Sequence, residues 1–163
     1  APDMATIYDI PVRLEEEGLG EKLLKKMGFE ARRDPDWGHW KELLERSKRP
    51  SKTLRVAMVG KYVDIGDFQL TDSYISVNQS LLHAGVAADT RIEITWIDGR
   101  AFERGERDVE SLADFGGIIV PGAFGEDGAE GVIAALKFAR ETGVPFLGLC
   151  YGMQMAGDRK SVV

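Results

Sequence analysis

The residues Val144 to Met155 read V-P-F-L-G-L-C-Y-G-M-Q-M and contain the one cysteine of the chain, Cys150. Six mostly apolar residues lead to a cysteine bracketed by Gly148 and Gly152, and a helical pattern follows. This is G-x-C-x-G, the pattern of a strand–nucleophile–helix elbow. A nucleophile at so sharp a turn crowds the positions two before and two after it, which favours residues without a Cβ. A thiol at the start of a helix also faces unpaired N–H groups and the positive end of the helix dipole, which favour thiolate. The chemistry this predicts is attack of sulfur on an electrophilic carbon. A buried strand ending in a small inert cysteine has the same local pattern, and the motif alone leaves that alternative open.

A thiolate that attacks a carbonyl generates an oxyanion, and two fixed N–H donors are the usual means of holding one. The stretch P-G-A-F-G-E-D-G-A-E-G, Pro121 to Gly131, follows a buried apolar run and opens a helix. The natural donor pair is the amide of Tyr151 with one from Gly122–Ala123. A glycine-rich phosphate cradle is disfavoured, since Glu126, Asp127 and Glu130 are acidic and the loop has no Lys or Arg. An uncommitted loop remains open on spacing alone. A cysteine nucleophile also needs a base, normally histidine. The chain has two histidines, His39 and His83, and neither is well placed to meet Cys150.

The elements that must position these residues form an alternating series. Strands are expected at Leu54–Val59, which is buried, at Arg91–Asp98, which alternates as a strand with one covered face, and at Gly117–Val120 and Val144–Leu149. Helices are expected at Tyr74–His83, with Tyr74, Val77, Leu81 and Leu82 inward and Gly85 as the stop, then at Asp108–Asp114 and Val132–Glu141. Alternation of this kind predicts an α/β fold, a doubly wound and mostly parallel sheet with helices on both faces. Ligands of such sheets sit at the carboxyl ends of the strands, where three loops can meet: Gly60–Thr71, Pro121–Gly131 and the elbow. Ahead of the sheet lies a helical and connective region. It has an extended Ile7–Pro11, a helix Leu19–Met27 stopped by Gly28, and a helix after Asp36 in which Trp37 and Trp40 serve packing. The division falls between 1–52 and 53–163, after the polar, Pro-broken Ser47–Lys52.

With 163 residues and a net charge of −6, the chain is ordinary globular material, and its acidity argues against nucleic acid or anionic membrane as a partner. A lone cysteine and the absence of a long apolar run or leader suit a cytoplasmic protein. The start at Ala1 and the stop at Val163, just past the elbow, read as cuts in a longer protein.

Five segments in order carry a further signal: I-Y-D-I-P-V-R-L-E-E-E-G-L-G, V-A-M-V-G-K-Y-V-D, D-S-Y-I-S-V-N-Q-S-L-L-H-A-G, I-I-V-P-G-A-F-G-E-D-G-A-E-G and V-P-F-L-G-L-C-Y-G-M-Q-M-A. From about Ile7 to Ala156 the chain resembles the CTP synthase family, at the join of its synthetase and triad-type glutamine amidotransferase halves. The resemblance implies a flavodoxin-like glutaminase half-domain preceded by the end of the synthetase domain and a helical linker. It implies glutamine hydrolysis with Cys150 as nucleophile and with glutamine and oxyanion contacts at Gly122, Ala123, Tyr151, Gly152, Met153 and Gln154. The ammonia would convert UTP to CTP in a homotetramer using ATP and Mg2+, with GTP as activator. None of those cofactors is expected on this stretch, whose own activity is expected to be absent because the family's His and Glu fall outside it. A non-catalytic docking module, or another cysteine hydrolase on the same fold, are the alternatives. The chain departs from the family at Ala123 for a usual Gly, Asp127 for Arg and Tyr151 for Leu. Its tail after Ala156, G-D-R-K-S-V-V, does not continue the expected apolar helix.

Overall fold

The computed structural model describes residues 4, 6–61, 64–65, 68–69, 74–125 and 127–157. The expectations for Glu126, for the tail past Gly157 and for most of the Gly60–Thr71 loop fall outside the described residues. The chain divides into two compact units, Ala1–Pro50 and Ser51–Val163.

The first unit holds three helices, α1 (Asp9–Glu16), α2 (Leu19–Met27) and α3 (Gly38–Lys48). The extended Ile7–Pro11 is corrected: α1 begins at Asp9 and Pro11 lies in its first turn. A proline there loses no bond, because the first amides of a helix have no intrahelical acceptor. α2 lies between two left-handed glycines, Gly18 (φ 69°) and Gly28 (φ 72°), the second being the expected stop. Trp37 takes the cap position of α3 where Asp36 was expected, and Asp36 Oδ1 accepts from the amide of Gly38, the first helical residue, at 2.9 Å. Trp40 donates from Nε1 to the carbonyl of Tyr8 at 2.9 Å and meets the Tyr8 ring edge-on at 6.1 Å. Lys48 pairs with Asp9 at 3.0 Å, a second tie between α3 and α1.

The second unit is a four-stranded parallel sheet of β1 (Lys52–Gly60), β4 (Thr90–Asp98), β5 (Gly117–Val120) and β6 (Phe146–Gly148). A two-residue antiparallel ladder, β2 (Asp64–Ile65) with β3 (Phe68–Gln69), stands apart from it. The main order is β4-β1-β5-β6, the flavodoxin-like sequence in which the first strand lies inside and the chain winds outward both ways. β1 pairs with β4 from Lys52↔Thr90 to Gly60↔Asp98 and with β5 from Val56↔Gly117.

Alternation along the strands makes two cores, since successive side chains leave a strand on opposite faces. Ala57 and Val59 of β1 join Ile118 and Val120 of β5 beneath α6 (Ala129–Thr142), against its Val132, Ala135 and Ala139. Val56, Met58 and Ile119 face the other way, toward Val77 and Leu81 of α4 (Ile75–Ala87). The sheet is therefore doubly wound, with α4 on one face and α6 on the other. Leu82, expected to point inward, is exposed. Nor does Gly85 stop α4. It lies inside the helix where a Cβ would come within 2.5 Å of the Thr90 carbonyl oxygen, so the glycine serves close packing of α4 on β4. The helix expected over Asp108–Asp114 is a 3-10 turn, Val109–Asp114, capped by Asp108. Two short helices complete the unit: α5 (Gly99–Glu103) and α7 (Tyr151–Gly157).

Candidate active site

Cys150 is the last residue before α7 and has φ +52°, one of two described non-glycine residues in the left-handed region. That conformation costs a residue with a Cβ about 1–2 kcal/mol, so the surrounding structure must enforce it. The enforcement is visible on both sides. A Cβ on Gly148 would lie 2.5 Å from the carbonyl carbon of Gly152 and 2.6 Å from the amide of Met153, and one on Gly152 would overlap the Val120 carbonyl. The strand and helix thus approach each other over two glycines, and the turn between them thrusts the cysteine outward. Leu149 donates to Val120 at 2.9 Å, Gly152 to Leu149 at 3.1 Å and Gln154 to Cys150 at 2.9 Å, which fixes the turn. Cys150 is exposed, so the inert buried cysteine is not what the fold contains.

The loop after β5 meets the elbow. A Cβ on Gly122 would sit 3.6 Å from Cβ of Cys150, an ordinary contact distance. The Gly122 carbonyl accepts from the hydroxyl of Tyr74 at 3.1 Å, and the Tyr74 ring stacks on Trp96 of β4 at 5.3 Å. Ala123 is buried, and its φ is not positive, so its methyl group introduces no left-handed strain. Tyr151 opens α7 and is buried in the α6-side core. As the first residue of a helix its amide has no intrahelical acceptor.

Among the six residues expected around Cys150, the structure puts Gly122 and Ala123 in the adjoining loop and Tyr151, Gly152, Met153 and Gln154 in the first turn of α7. Gly152 and Tyr151 are buried, whereas Met153 and Gln154 are exposed. Asp127 is exposed and lies 3.6 Å from Arg100, whose guanidinium also meets Asp98 at 2.5 Å. The acidic charge at Asp127 is thus set against a cation from α5.

His83 lies eight residues into α4. At about 1.5 Å per residue this carries it roughly 12 Å down the helix, away from the carboxyl ends of the strands. His39 belongs to α3 of the other unit. One residue went unnoticed in the sequence. Lys61, just past β1, is the one buried charged side chain among the described residues, 5% exposed. Its Nζ donates to the carbonyl of Gly125 and lies 4.4 Å over the Tyr151 ring. The signal was V-G-K, a lysine at the carboxyl end of an apolar strand, where such sheets gather their ligands.

The described residues bring together no group of three His, Cys, Asp or Glu side chains suited to a metal ion. No described helix is long and apolar enough to cross a membrane.

Comparison with known proteins agrees with this arrangement. The chain is 46% identical over 155 residues to the CTP synthase of Thermomicrobium roseum, covering 95% of this chain and 27% of that protein. It is 47% identical over 154 residues to the CTP synthase of Acaryochloris marina, covering 94% and 26%. The chain therefore spans about a quarter of the length of the curated relatives it matches. Among solved structures it is similar to the glutaminase domain of Trypanosoma brucei CTPS with bound acivicin, with a TM-score of 0.56 and 36% identity over 63% of this chain and 38% of that one. The sequence profile of the family glutamine amidotransferase class-I matches residues 69–160, a stretch that begins after β1 and includes β4, β5, β6 and the cysteine elbow. The chain belongs to the class-I glutamine amidotransferase family.

Proposed function

We propose that Cys150 is the nucleophile of a glutaminase site whose ammonia serves the ATP-dependent amination of UTP to CTP in the whole protein. The observation that carries the reading is the left-handed, outward-thrust Cys150 set against Gly122. The thiol sulfur attacks the side-chain carboxamide carbon of glutamine. A C–S bond forms, and the carbonyl π pair moves to oxygen. The amides of Ala123 and Tyr151 are the donors suited to that oxyanion, and Gly152, Met153 and Gln154 of the first turn of α7 are the further glutamine contacts of this reading. Collapse expels ammonia, the proton from the thiol leaving on nitrogen. Water then cleaves the thioester, giving glutamate and restoring the thiol.

The base for those proton transfers is assigned in this reading to another part of the whole protein, His83 lying about 12 Å down α4 from the crevice. The same holds for UTP, ATP, Mg2+ and the activating GTP, and for a homotetrameric assembly. The described residues offer no donor set for the metal, and no step here passes through these groups.

The test uses the whole protein with glutamine labelled in its amide nitrogen. Cys150→Ala should abolish labelled ammonia release while CTP formation from added ammonium persists. Undiminished release would overturn the assignment of Cys150. Loss of both reactions would argue that the substitution acts through the fold instead.

A further inference from the structure

We propose that Lys61 is a positioning residue for oxyanion stabilisation, one ammonium fixing both loops that carry the donor amides. The inference rests on the glutaminase reading above and goes beyond it.

A buried ammonium is costly unless it is paired or hydrogen-bonded. Lys61 is 5% exposed, yet among the described residues no carboxylate forms an ion pair with it. Asp98 and Asp127 are engaged by Arg100. What holds Lys61 instead is the Gly125 carbonyl and the face of the Tyr151 ring, 4.4 Å from Nζ. These partners belong to different elements, the loop after β5 and the start of α7. Gly125 is three residues after Gly122, which lies against Cys150, and Tyr151 directly follows Cys150. The lysine itself comes from a third strand end, that of β1.

The passage for its stem is built into the fold. Gly128 has φ +79°, and a Cβ there would lie 3.6 Å from Cγ of Lys61 and 3.2 Å from Cγ of Arg100. The arrangement thus sets the distance between the Pro121–Gly128 loop and the first residue of α7. That is the distance on which a two-donor oxyanion hole depends, since the donors must reach the same oxygen at hydrogen-bond range.

The experiment compares two alkylations of Cys150 in the whole protein. The chloroketone analogue of glutamine reacts through an oxyanion on its carbonyl; iodoacetamide reacts at saturated carbon and needs no such hole. Lys61→Met should lower the chloroketone rate about 30-fold and leave the iodoacetamide rate within about 2-fold, given that loss of one donor typically costs about 100-fold or more. Tyr151→Leu should lower the chloroketone rate by itself, and Lys61→Met should then add less than it does in the parent chain. An unchanged chloroketone rate, or an equal fall in both rates, would overturn the proposal. If Lys61→Met does not fold, Tyr151→Leu decides alone: a selective chloroketone loss of about 5-fold or more supports the proposal and no loss overturns it. Chloroacetone is the control for the underlying reading. If the unaltered whole protein reacts no faster with the glutamine analogue than with chloroacetone, the glutaminase reading fails and this proposal falls with it.

Discussion

Replacing Cys150 by alanine and, separately, by glycine isolates the backbone of the elbow from its chemistry. At an ordinary position glycine is the worse residue by about 0.5–1 kcal/mol, because it has more freedom to lose on folding. At φ +52° the order should invert, since a Cβ in the left-handed region costs about 1–2 kcal/mol. The difference is roughly 0.5–1 kcal/mol in favour of glycine. Little else separates the two variants. Cys150 is exposed, and the packing of its Cβ toward Gly122 is worth about 0.1–0.2 kcal/mol. Urea unfolding of the full chain measures the effect. With a slope of about 2 kcal/mol per M, Cys150→Gly should have a midpoint about 0.3–0.5 M above that of Cys150→Ala, with the slope unchanged. An alanine variant as stable as the glycine variant, or more so, would refute the left-handed elbow and with it the argument that the fold forces this cysteine outward.

Two further outcomes are expected. Ala123→Gly should destabilise the chain by about 1–2 kcal/mol, because a buried methyl group worth about 0.8 kcal/mol is removed from a position without positive φ, and glycine adds its entropic cost; urea midpoints check this, and a stabilised variant would show that the backbone there wants glycine. Leu147 is 52% exposed on β6, which pairs only with β5 among the described residues, so the isolated chain should bind a hydrophobic dye and self-associate. Leu147→Lys should diminish both, as followed by dye fluorescence and sedimentation, and unchanged association would place the sticky surface elsewhere.

Much of the sheet could be read from the sequence because its strands are apolar runs, or in β4 an apolar–polar alternation, closed by glycine or proline. Gly117–Val120 occupies its expected residues, and Lys52–Gly60 extends the expected Leu54–Val59 at both ends. The elbow was legible for a steric reason, since Gly148 and Gly152 stand where side chains would collide with backbone. Glycine and proline also misled. Gly85 looked like a stop and is a packing residue, while Pro11 looked like a break and sits in a first turn, because the same missing group serves either purpose. α5 and the β2–β3 ladder are too short to show a period. Lys61 stayed hidden because its role depends on two loops 64 and 90 residues further along the chain, and no local pattern encodes such a meeting.

The position of β6 in the sheet has a dynamic consequence. Strand β1 is flanked on both sides, whereas β6 contributes three residues and, among the described residues, pairs with β5 alone. Local opening concentrates where backbone bonds are few and solvent is near, so amide exchange should deepen from β6 toward β1. The cysteine follows the strand with the weakest hold on the sheet. Its elbow therefore samples unlatched states more often than the β1 core does. A ligand spanning Cys150 and the Pro121–Gly128 loop acts as a latch on this rim, tightening exchange in β6 and the start of α7 while leaving β1 as it was.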